Sequence, residues 1–447
     1  MGTESCLGST PDTIGSAALP LARTSSIFIL ILLASCVADY LSNLLFGRWL
    51  GHVAYGDFGV AVSLALLLAN AANLGTDESV PRFVPAYLAA DRHGHVRGFL
   101  QSHLLAIGTL TLLVCLVGYG YYHFARTSEA EHPVALIWWI VPLLGVANFL
   151  YHTLANHERS MVRANVLQMV FCPVLMLCAG YLLLSESGLL TGHRAVIAYG
   201  VSVVVLLPFY GYLLSRTFPG TIWRAEAVYD LRTWAKTALP MIITTLVYYT
   251  LGQTDIYVVE HVGDEEHVGI LLACVKTSDF AFLSFTAVSL ILSPRISPLV
   301  EAGRTSEIQT LIRKSVQLIL ALSSAVAVLL ILFGKPVLAL FGREFVEGYP
   351  ALVILTLGNV VIGALSIAWP LLSYGGHERV PVPGLVVALV LMVVLAELTI
   401  PRFGLLAAAL CKTCVLIALF AWLSVQLERR MGIRILPRGP LSRSKGV

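Results

Sequence analysis

Apolar residues in this chain occur in long runs separated by short polar segments. A helix needs about 20 largely apolar residues to cross the hydrocarbon core of a bilayer. Many runs here reach that length, and they are too long for the alternating segments of a membrane β-barrel. The pattern predicts an all-α integral membrane protein with twelve transmembrane helices, at about residues 25–46, 58–80, 99–122, 135–156, 166–184, 195–214, 238–260, 268–294, 315–333, 350–374, 384–400 and 405–426.

The composition agrees with this pattern. Hydrophobic residues make up 57% of the chain and charged residues 12%, whereas soluble domains contain about 25% charged residues. The chain length alone would suggest several soluble domains, but the continuous apolar runs exclude that interpretation. No phosphate-binding GxxxxGK[ST] loop or other enzyme motif is present in the sequence, so we expect a transporter or binding protein rather than an enzyme.

The pattern repeats after almost half the chain. A proline-arginine motif closes the second predicted span of each half, as PRFVP at 81–85 and as PRISP at 294–298. A polar residue also precedes the glycine of the first loop by eight positions in each half, Asn43 in the first and Asp255 in the second. Such repetition indicates a duplicated six-helix unit. Because six is even, the two pseudo-symmetric six-helix lobes should be related by an axis along the membrane normal.

Most Lys and Arg residues lie in the loops on the N-terminal side of the membrane, which predicts that both termini are cytoplasmic and that the protein resides in the cell (cytoplasmic or inner) membrane. The first residues are small and polar and lack the features of a signal peptide. The expected organisation is a disordered cytoplasmic tail at 1–24, a first lobe at 25–214, a linker at 215–237, a second lobe at 238–426 and a basic cytoplasmic tail at 427–447. We expect this last tail to be disordered from Glu428 to Val447 and to lie near the membrane surface.

The linker between the halves has its own pattern. Trp223, Ala227, Leu231 and Trp234 fall near one face of a helix, and basic residues lie toward other faces. This arrangement predicts an interfacial helix on the cytoplasmic surface, with its basic residues toward anionic headgroups. A plain solvated linker is the alternative.

Several stretches resemble the oligosaccharide flippases, the polysaccharide transporters of the multidrug/oligosaccharidyl-lipid/polysaccharide exporter superfamily. They are RWLGHVAYGDFG followed by a span and PRFVPAYLA, LPMIITTLVYYTLGQTDIYVV, and VLALFGREFVEGYPALVIL. The resemblance covers about residues 25–426 and is a diffuse pattern of glycine, proline and charge. It implies two lobes around a central cavity that opens alternately to each side. It also implies that the protein flips polyprenyl-diphosphate-linked oligosaccharide to the outer leaflet for surface polysaccharide synthesis.

Polar residues within the spans are the candidates for substrate and ion binding, because such residues are costly in a membrane. The substrate-binding candidates are Lys276, Lys412, Arg48, Tyr248 and Tyr249. The candidates for ion coupling or charge pairing are Asp39, Asn43, Gln253, Asp255, Asp279 and Glu397. A lysine can attract phosphate as a point charge, and aromatic rings can stack on sugars.

Each lysine also has a purely structural interpretation. Lys276 could pair with Asp279 or Asp255, and Lys412 could pair with Glu397. Pairing would offset much of the cost of burying these charges. The sequence leaves the structural and the substrate-binding roles open.

We expect no cofactor, no metal site and no nucleic acid partner. Cys411 and Cys414 share a helix face, but Lys412 lies between them and further ligands are not nearby. The expected partners are the lipid-linked oligosaccharide and the bilayer, with a polysaccharide polymerase and other assembly proteins as further candidates. Two rival functions remain: a multidrug/cation antiporter of the same superfamily, and a non-transporting membrane scaffold of a polysaccharide assembly complex.

Overall fold

The computed structural model describes residues 12–73, 75–125, 136–157, 159–187, 189–262 and 265–435, and their regular secondary structure is entirely helical. The helices are α1 Asp12–Ala72, α2 Thr76–Ala89, α3 His93–Ala125, α4 Ile137–Ala155, α5 Met161–Val166, α6 Cys172–Ser187, α7 Gly192–Thr217, α8 Gly220–Arg224, α9 Leu231–Val262, α10 Glu265–Glu301, α11 Thr305–Phe341, α12 Tyr349–Leu365, α13 Ala368–Tyr374 and α14 Pro381–Met431. A π-helical segment, Leu167–Phe171, joins α5 to α6, and a 3₁₀ turn, Glu344–Gly348, precedes α12.

Nine stretches of the described residues are long and apolar enough to cross a membrane. Two of them bend at a glycine and each holds two spans. Gly51 in α1 has φ 75° and ψ 172°, and Gly404 in α14 has φ 55° and ψ −137°. Positive φ is a conformation that glycine adopts without steric cost. Together with α9, these stretches form a multi-pass bundle of twelve membrane helices, which confirms the predicted fold class.

The two proline-arginine motifs, which the sequence places at the ends of membrane spans, lie within helices. The break in the first half comes earlier, at Gly75, whose φ is 66°. Pro81 and Pro85 then lie inside α2. In the second half, Pro294 lies inside the continuous α10. A proline removes one backbone hydrogen bond of a helix, and membrane helices tolerate that loss where neighbouring groups compensate for it.

The chain ends are more ordered than expected within the part that the structure describes. α1 already begins at Asp12, inside the segment expected to be a disordered tail. α14 continues to Met431, and the residues after it fold back, so that Ile433 and Ile435 are buried. Gln309 on α11 accepts a hydrogen bond from the backbone N–H of Arg434 at 2.8 Å. The rest of both predicted tails, at 1–11 and 436–447, lies outside the described residues.

The linker is not the single interfacial helix that its pattern predicted. Only the short α8 and the start of α9 are helical, and the residues between them are extended or bent. This intervening segment docks on α3, where the N–H of Val228 donates to the carbonyl of Gly94 at 2.9 Å. Trp234 is buried rather than turned toward headgroups, and its indole N–H donates to the hydroxyl of Tyr87 at 3.0 Å. Contacts with the first lobe therefore override the amphipathic pattern.

The first lobe, α1–α7, and the second lobe, α9–α14, meet at one end of the bundle. We call it the Gly51 end, because Gly51 and the 3₁₀ turn Glu344–Gly348 both lie there. One large apolar cluster joins the first lobe to this end of the second lobe, including Phe341 and Phe345. The other apolar cluster of described buried residues belongs to the second lobe and its C-terminal extension alone. The lobes are thus packed together at the Gly51 end. At the opposite end, the second cluster packs on itself, and α9 contacts the first lobe through Trp234 near its start.

Candidate functional site: a charge cluster between the lobes

Five ionisable side chains from four membrane helices lie close together inside the bundle. Asp39 is on α1, Asp255 on α9, Lys276 and Asp279 on α10, and Lys412 on the second part of α14. We call these five residues the charge cluster. Three carboxylates and two ammonium groups leave an excess of negative charge. Such groups are rare within membrane spans, and they mark candidate functional sites.

Lys276 forms an ion pair across the two lobes. Its Nζ lies 3.1 Å from Oδ2 of Asp39, and both side chains remain accessible, at 33% for the lysine and 53% for the aspartate. The structural alternative from the sequence named Asp279 or Asp255 as the partner of Lys276, but the partner is Asp39. The neighbouring Tyr40 and Thr277 hydroxyls lie 3.3 Å apart and add a second polar contact between α1 and α10.

Lys412 forms an ion pair within the second lobe. Its Nζ lies 2.9 Å from Oδ2 of Asp255, and it also donates to the carbonyl of Gly252 at 3.2 Å. This pair is much less accessible than the first, with side-chain exposures of 14% for Lys412 and 0% for Asp255. The expected pairing of Lys412 with Glu397 is wrong. Glu397 is exposed on α14, at the edge of the second lobe.

Asp279 lies within electrostatic range of the other four members of the charge cluster. Its side chain is solvent accessible, although protein atoms surround it on most sides. This combination is typical of a group that faces an internal cavity. Among the described residues, Asp279 makes no ion pair within 4 Å. It therefore supplies the carboxylate that the two lysines do not neutralise by direct contact.

A short hydrogen-bond chain connects Asp39 to the interface at the Gly51 end. The side-chain amide of Asn43 donates to Oδ1 of Asp39 at 3.2 Å, and the hydroxyl of Tyr55 donates to Oδ1 of Asn43 at 2.9 Å. Tyr55 is fully buried, and its ring lies 6.3 Å from that of Phe341 and 6.1 Å from that of Phe345. The lobe interface thus continues from the ion pair to an aromatic contact.

The remaining uncharged candidates lie on α9. Gln253 accepts a hydrogen bond from Ser63 of the first lobe at 3.3 Å, a third polar contact between the lobes. Tyr248 is partly exposed, and its ring lies 5.4 Å from that of Trp369 and 6.4 Å from that of Tyr249. Tyr248 is also within electrostatic range of Asp279. The aromatic group therefore lies close to the charge cluster.

Arg48 is not part of the charge cluster. It is exposed on α1, and its separation of nine positions from Asp39 corresponds to about 13 Å along a helix. This distance places it at the Gly51 end, where another polar contact joins the lobes. Nδ1 of His52 lies 3.9 Å from Oε1 of Glu344.

Several residues of the lobe interface could not be identified from the sequence. Tyr55, Phe341 and Phe345 come together only because α1 bends at Gly51 and places its second part against the second lobe. A helical period cannot be followed across that bend. The one available signal was the polar, glycine-containing stretch GHVAYG itself, which lacks the composition of a simple exposed loop.

The fold is similar to that of several solved membrane proteins. The structure resembles the lipid II flippase MurJ in an inward closed conformation, with a TM-score of 0.69, 14% identity, and coverage of 90% of this chain and 87% of that chain. It resembles an inward-facing multidrug resistance MATE family transporter of the MOP superfamily, with a TM-score of 0.70, 15% identity, and coverage of 91% and 98%. It also resembles a MOP superfamily transporter from Pyrococcus furiosus, with a TM-score of 0.66, 14% identity, and coverage of 92% and 95%.

The chain therefore has the fold of the MOP superfamily transporters, which is the fold that the resemblance implied. The MatE family model matches residues 240–347, which form the first part of the second lobe. No curated protein matches the sequence. The oligosaccharide flippase branch of the superfamily stays a prediction.

Proposed function

We propose that this protein is a transporter that moves a polyprenyl-diphosphate-linked oligosaccharide from the cytoplasmic to the outer leaflet by alternating access. The observation that carries the proposal is the position of Lys276. It is a cation inside the membrane domain, it faces the space between the lobes, and a third of its side chain is accessible. An anionic diphosphate is a suitable ligand for such a group, since a lysine ammonium binds phosphate as a point charge.

The aromatic group next to the charge cluster supports the oligosaccharide part of the proposal. Tyr248 and Trp369 present two rings beside the cavity, and Tyr249 is also partly exposed. Sugars offer apolar C–H faces to such rings, while tyrosine hydroxyls keep a polar edge. The named function of one structural neighbour, a lipid II flippase, also concerns a lipid-linked substrate.

The proposal includes an orientation. The distribution of Lys and Arg favours cytoplasmic termini in the cell membrane, so the Gly51 end faces outward. Since the lobes are packed together at that end, the described conformation is closed to the outside and takes up substrate from the cytoplasm. A polysaccharide polymerase and other assembly proteins are the partners that would consume the flipped lipid.

One observation favours a second candidate function, a multidrug/cation antiporter. The charge cluster contains more carboxylates than lysines, and Asp279 is accessible without an ion-pair partner among the described residues. A cationic substrate would find its counter-charge there. The two functions place different groups in contact with substrate: Lys276 for the lipid diphosphate, and Asp279 for an organic cation.

A flipping assay with the purified protein in liposomes tests the proposal. The substrate is a polyprenyl-diphosphate-linked oligosaccharide with a fluorophore on its sugar, and dithionite added outside quenches only the fluorophores that reach the outer leaflet. Active protein should allow quenching of the label from both leaflets. The opposite result is quenching that stops at the fraction seen in protein-free liposomes. If the same protein also exchanges an organic cation for protons or sodium, the antiporter function is supported instead.

A further inference from the structure

The two ion pairs of the charge cluster differ in a way that separates their roles. Asp255 and Lys412 both belong to the second lobe, and they are buried together. Asp39 and Lys276 belong to different lobes, and both remain accessible. A movement of one lobe relative to the other leaves the Asp255–Lys412 pair intact. The same movement must stretch or break the Asp39–Lys276 pair. The Asp39–Lys276 pair is therefore placed to respond to, and to control, the relative position of the lobes.

The lysine of this lobe-spanning pair is also the group to which we assign the substrate diphosphate. Lys276 has three N–H donors but one positive charge, so Asp39 and a diphosphate compete for it. A diphosphate carries more negative charge than one carboxylate, and the accessible pair leaves room for an anion to approach. Breaking an accessible ion pair costs little compared with breaking a buried one. The substrate thus needs no prior opening of the lobes to displace Asp39.

We propose that the diphosphate of the substrate replaces Asp39 as the partner of Lys276, and that this exchange releases the lobes at the Gly51 end. This inference rests on the proposed function. After the exchange, the anion held by the second lobe faces the freed carboxylate of the first lobe. Their like charges repel each other, whereas the opposite charges of Asp39 and Lys276 attracted each other. Substrate binding therefore converts the contact between α1 and α10 from attraction to repulsion.

The hydrogen-bond chain from Asp39 extends the effect toward the closed end. Asn43 donates to the Asp39 carboxylate, and Tyr55 donates to Asn43. Tyr55 packs on Phe341 of the second lobe. A shift of Asp39 changes the position of Asn43 and removes support from the aromatic contact that joins the lobes. A ligand can shift a conformational equilibrium only through different contacts in the two states, and the partner exchange at Lys276 provides that difference.

The experiment measures lobe separation and lipid binding separately in the full-length protein. The eight native cysteines are replaced, and spin labels are attached at Arg48→Cys and Glu347→Cys. These two exposed positions lie on opposite lobes at the Gly51 end. Distances are recorded without lipid, with polyprenyl diphosphate, and with the neutral polyprenol. Binding of each lipid is measured on the same preparations.

In the protein with its native charge cluster, polyprenyl diphosphate should move the labels apart, and polyprenol should not. Asp39→Asn should increase the population with separated labels in the absence of lipid. It should also tighten diphosphate binding, and each change should be about 1.4- to fivefold, the range that exposed ion pairs are worth. The matched control is Glu397→Gln. It also removes a carboxylate from a membrane span, but its side chain is exposed on α14, so neither measurement should change.

Three outcomes would overturn the exchange and leave the proposed function standing. In the first, polyprenyl diphosphate binds to the protein with the native charge cluster, but the label distances stay the same. In the second, Asp39→Asn weakens diphosphate binding. In the third, polyprenol separates the labels as well as the diphosphate does. A complete lack of diphosphate binding would instead reject the proposed function. The comparison of the two lipids needs no charge variant, so it remains decisive if Asp39→Asn folds poorly.

Discussion

Gly269 of the second lobe lies directly against the carbonyl oxygen of His52 in the first lobe. A β-carbon at position 269 would overlap with this oxygen and would lie 3.0 Å from the backbone nitrogen of Gly56. Both neighbours are backbone atoms, which cannot turn away as the end of a flexible side chain can. The absence of a side chain at Gly269 is what allows α10 and the second part of α1 to close the Gly51 end.

Gly269→Ala should therefore weaken the closed contact between the lobes. Overpacking a tight contact typically costs about 1–3 kcal/mol, and opening the Gly51 end relieves the overlap. Spin labels at Arg48→Cys and Glu347→Cys should move apart in this variant without any lipid. Gly211→Ala is the matched control, because a β-carbon there meets no atom within 4 Å. Unchanged label distances in a folded Gly269→Ala protein would show that this contact does not hold the lobes together.

The two ion pairs should contribute very differently to stability. Asp255→Asn leaves the ammonium of Lys412 in a buried position without its counter-charge, which typically costs about 3–5 kcal/mol. Asp39→Asn disrupts an accessible pair, and we expect it to lower the free energy of unfolding by about 0.2–1 kcal/mol. Thermal unfolding in detergent should show a large decrease in the unfolding temperature for Asp255→Asn and a small decrease for Asp39→Asn. Glu397→Gln should have no effect, and a loss as large as that of Asp255→Asn would restore the rejected pairing with Lys412.

The membrane orientation has a direct chemical test. We expect the loop between α9 and α10 to face outward, so His261→Cys in a background without native cysteines should react with an impermeant thiol reagent in intact cells. His261 is exposed, and it is the last such position before the residues 263–264 that the structure does not describe. Labelling of His261→Cys only after cell lysis would reverse the orientation and place the closed Gly51 end in the cytoplasm.

The aromatic group should affect transport only when the substrate carries sugar. Tyr248→Leu removes an exposed ring that lies next to Trp369. Aromatic contacts of this kind contribute about 0.5–1.5 kcal/mol, so the flipping rate of the lipid-linked oligosaccharide should fall about two- to tenfold. The rate for the bare polyprenyl diphosphate should not change. Tyr212→Leu, at an exposed tyrosine of α7, is the control. Equal losses for both lipids would argue against a sugar contact at Tyr248.

The fold was predictable from the sequence because the membrane leaves few choices. A backbone that crosses hydrocarbon must satisfy its own hydrogen bonds, so long apolar runs become helices. The bends at Gly51 and Gly404 were not predictable with the same ease. Each keeps two spans in one nearly continuous helix, and hydropathy contains no information about the backbone angle of a single glycine.

The membership of the charge cluster was predictable in large part, but its pairing was not. Ionisable residues within spans stand out in an apolar sequence, and Asp39, Asp255 and Lys276 were found in that way. Local spacing then suggested partners nearby in the sequence. The actual partners are 237 positions apart for Lys276 and Asp39, and 157 positions apart for Lys412 and Asp255. Which of several distant carboxylates pairs with each lysine depends on how the helices pack, and the sequence does not show that packing directly.

The central claim is that Lys276 contacts the substrate diphosphate rather than serving only as half of an ion pair. The most direct test is the liposome flipping rate of the double variant Asp39→Asn with Lys276→Gln, which removes both charges together and leaves neither buried alone. We predict a protein that unfolds at nearly the native temperature but flips at least about tenfold more slowly, because a charge-assisted contact worth about 1.5–3 kcal/mol is lost. A double variant that flips the lipid-linked oligosaccharide at the native rate would contradict this account and leave Lys276 with a structural role alone.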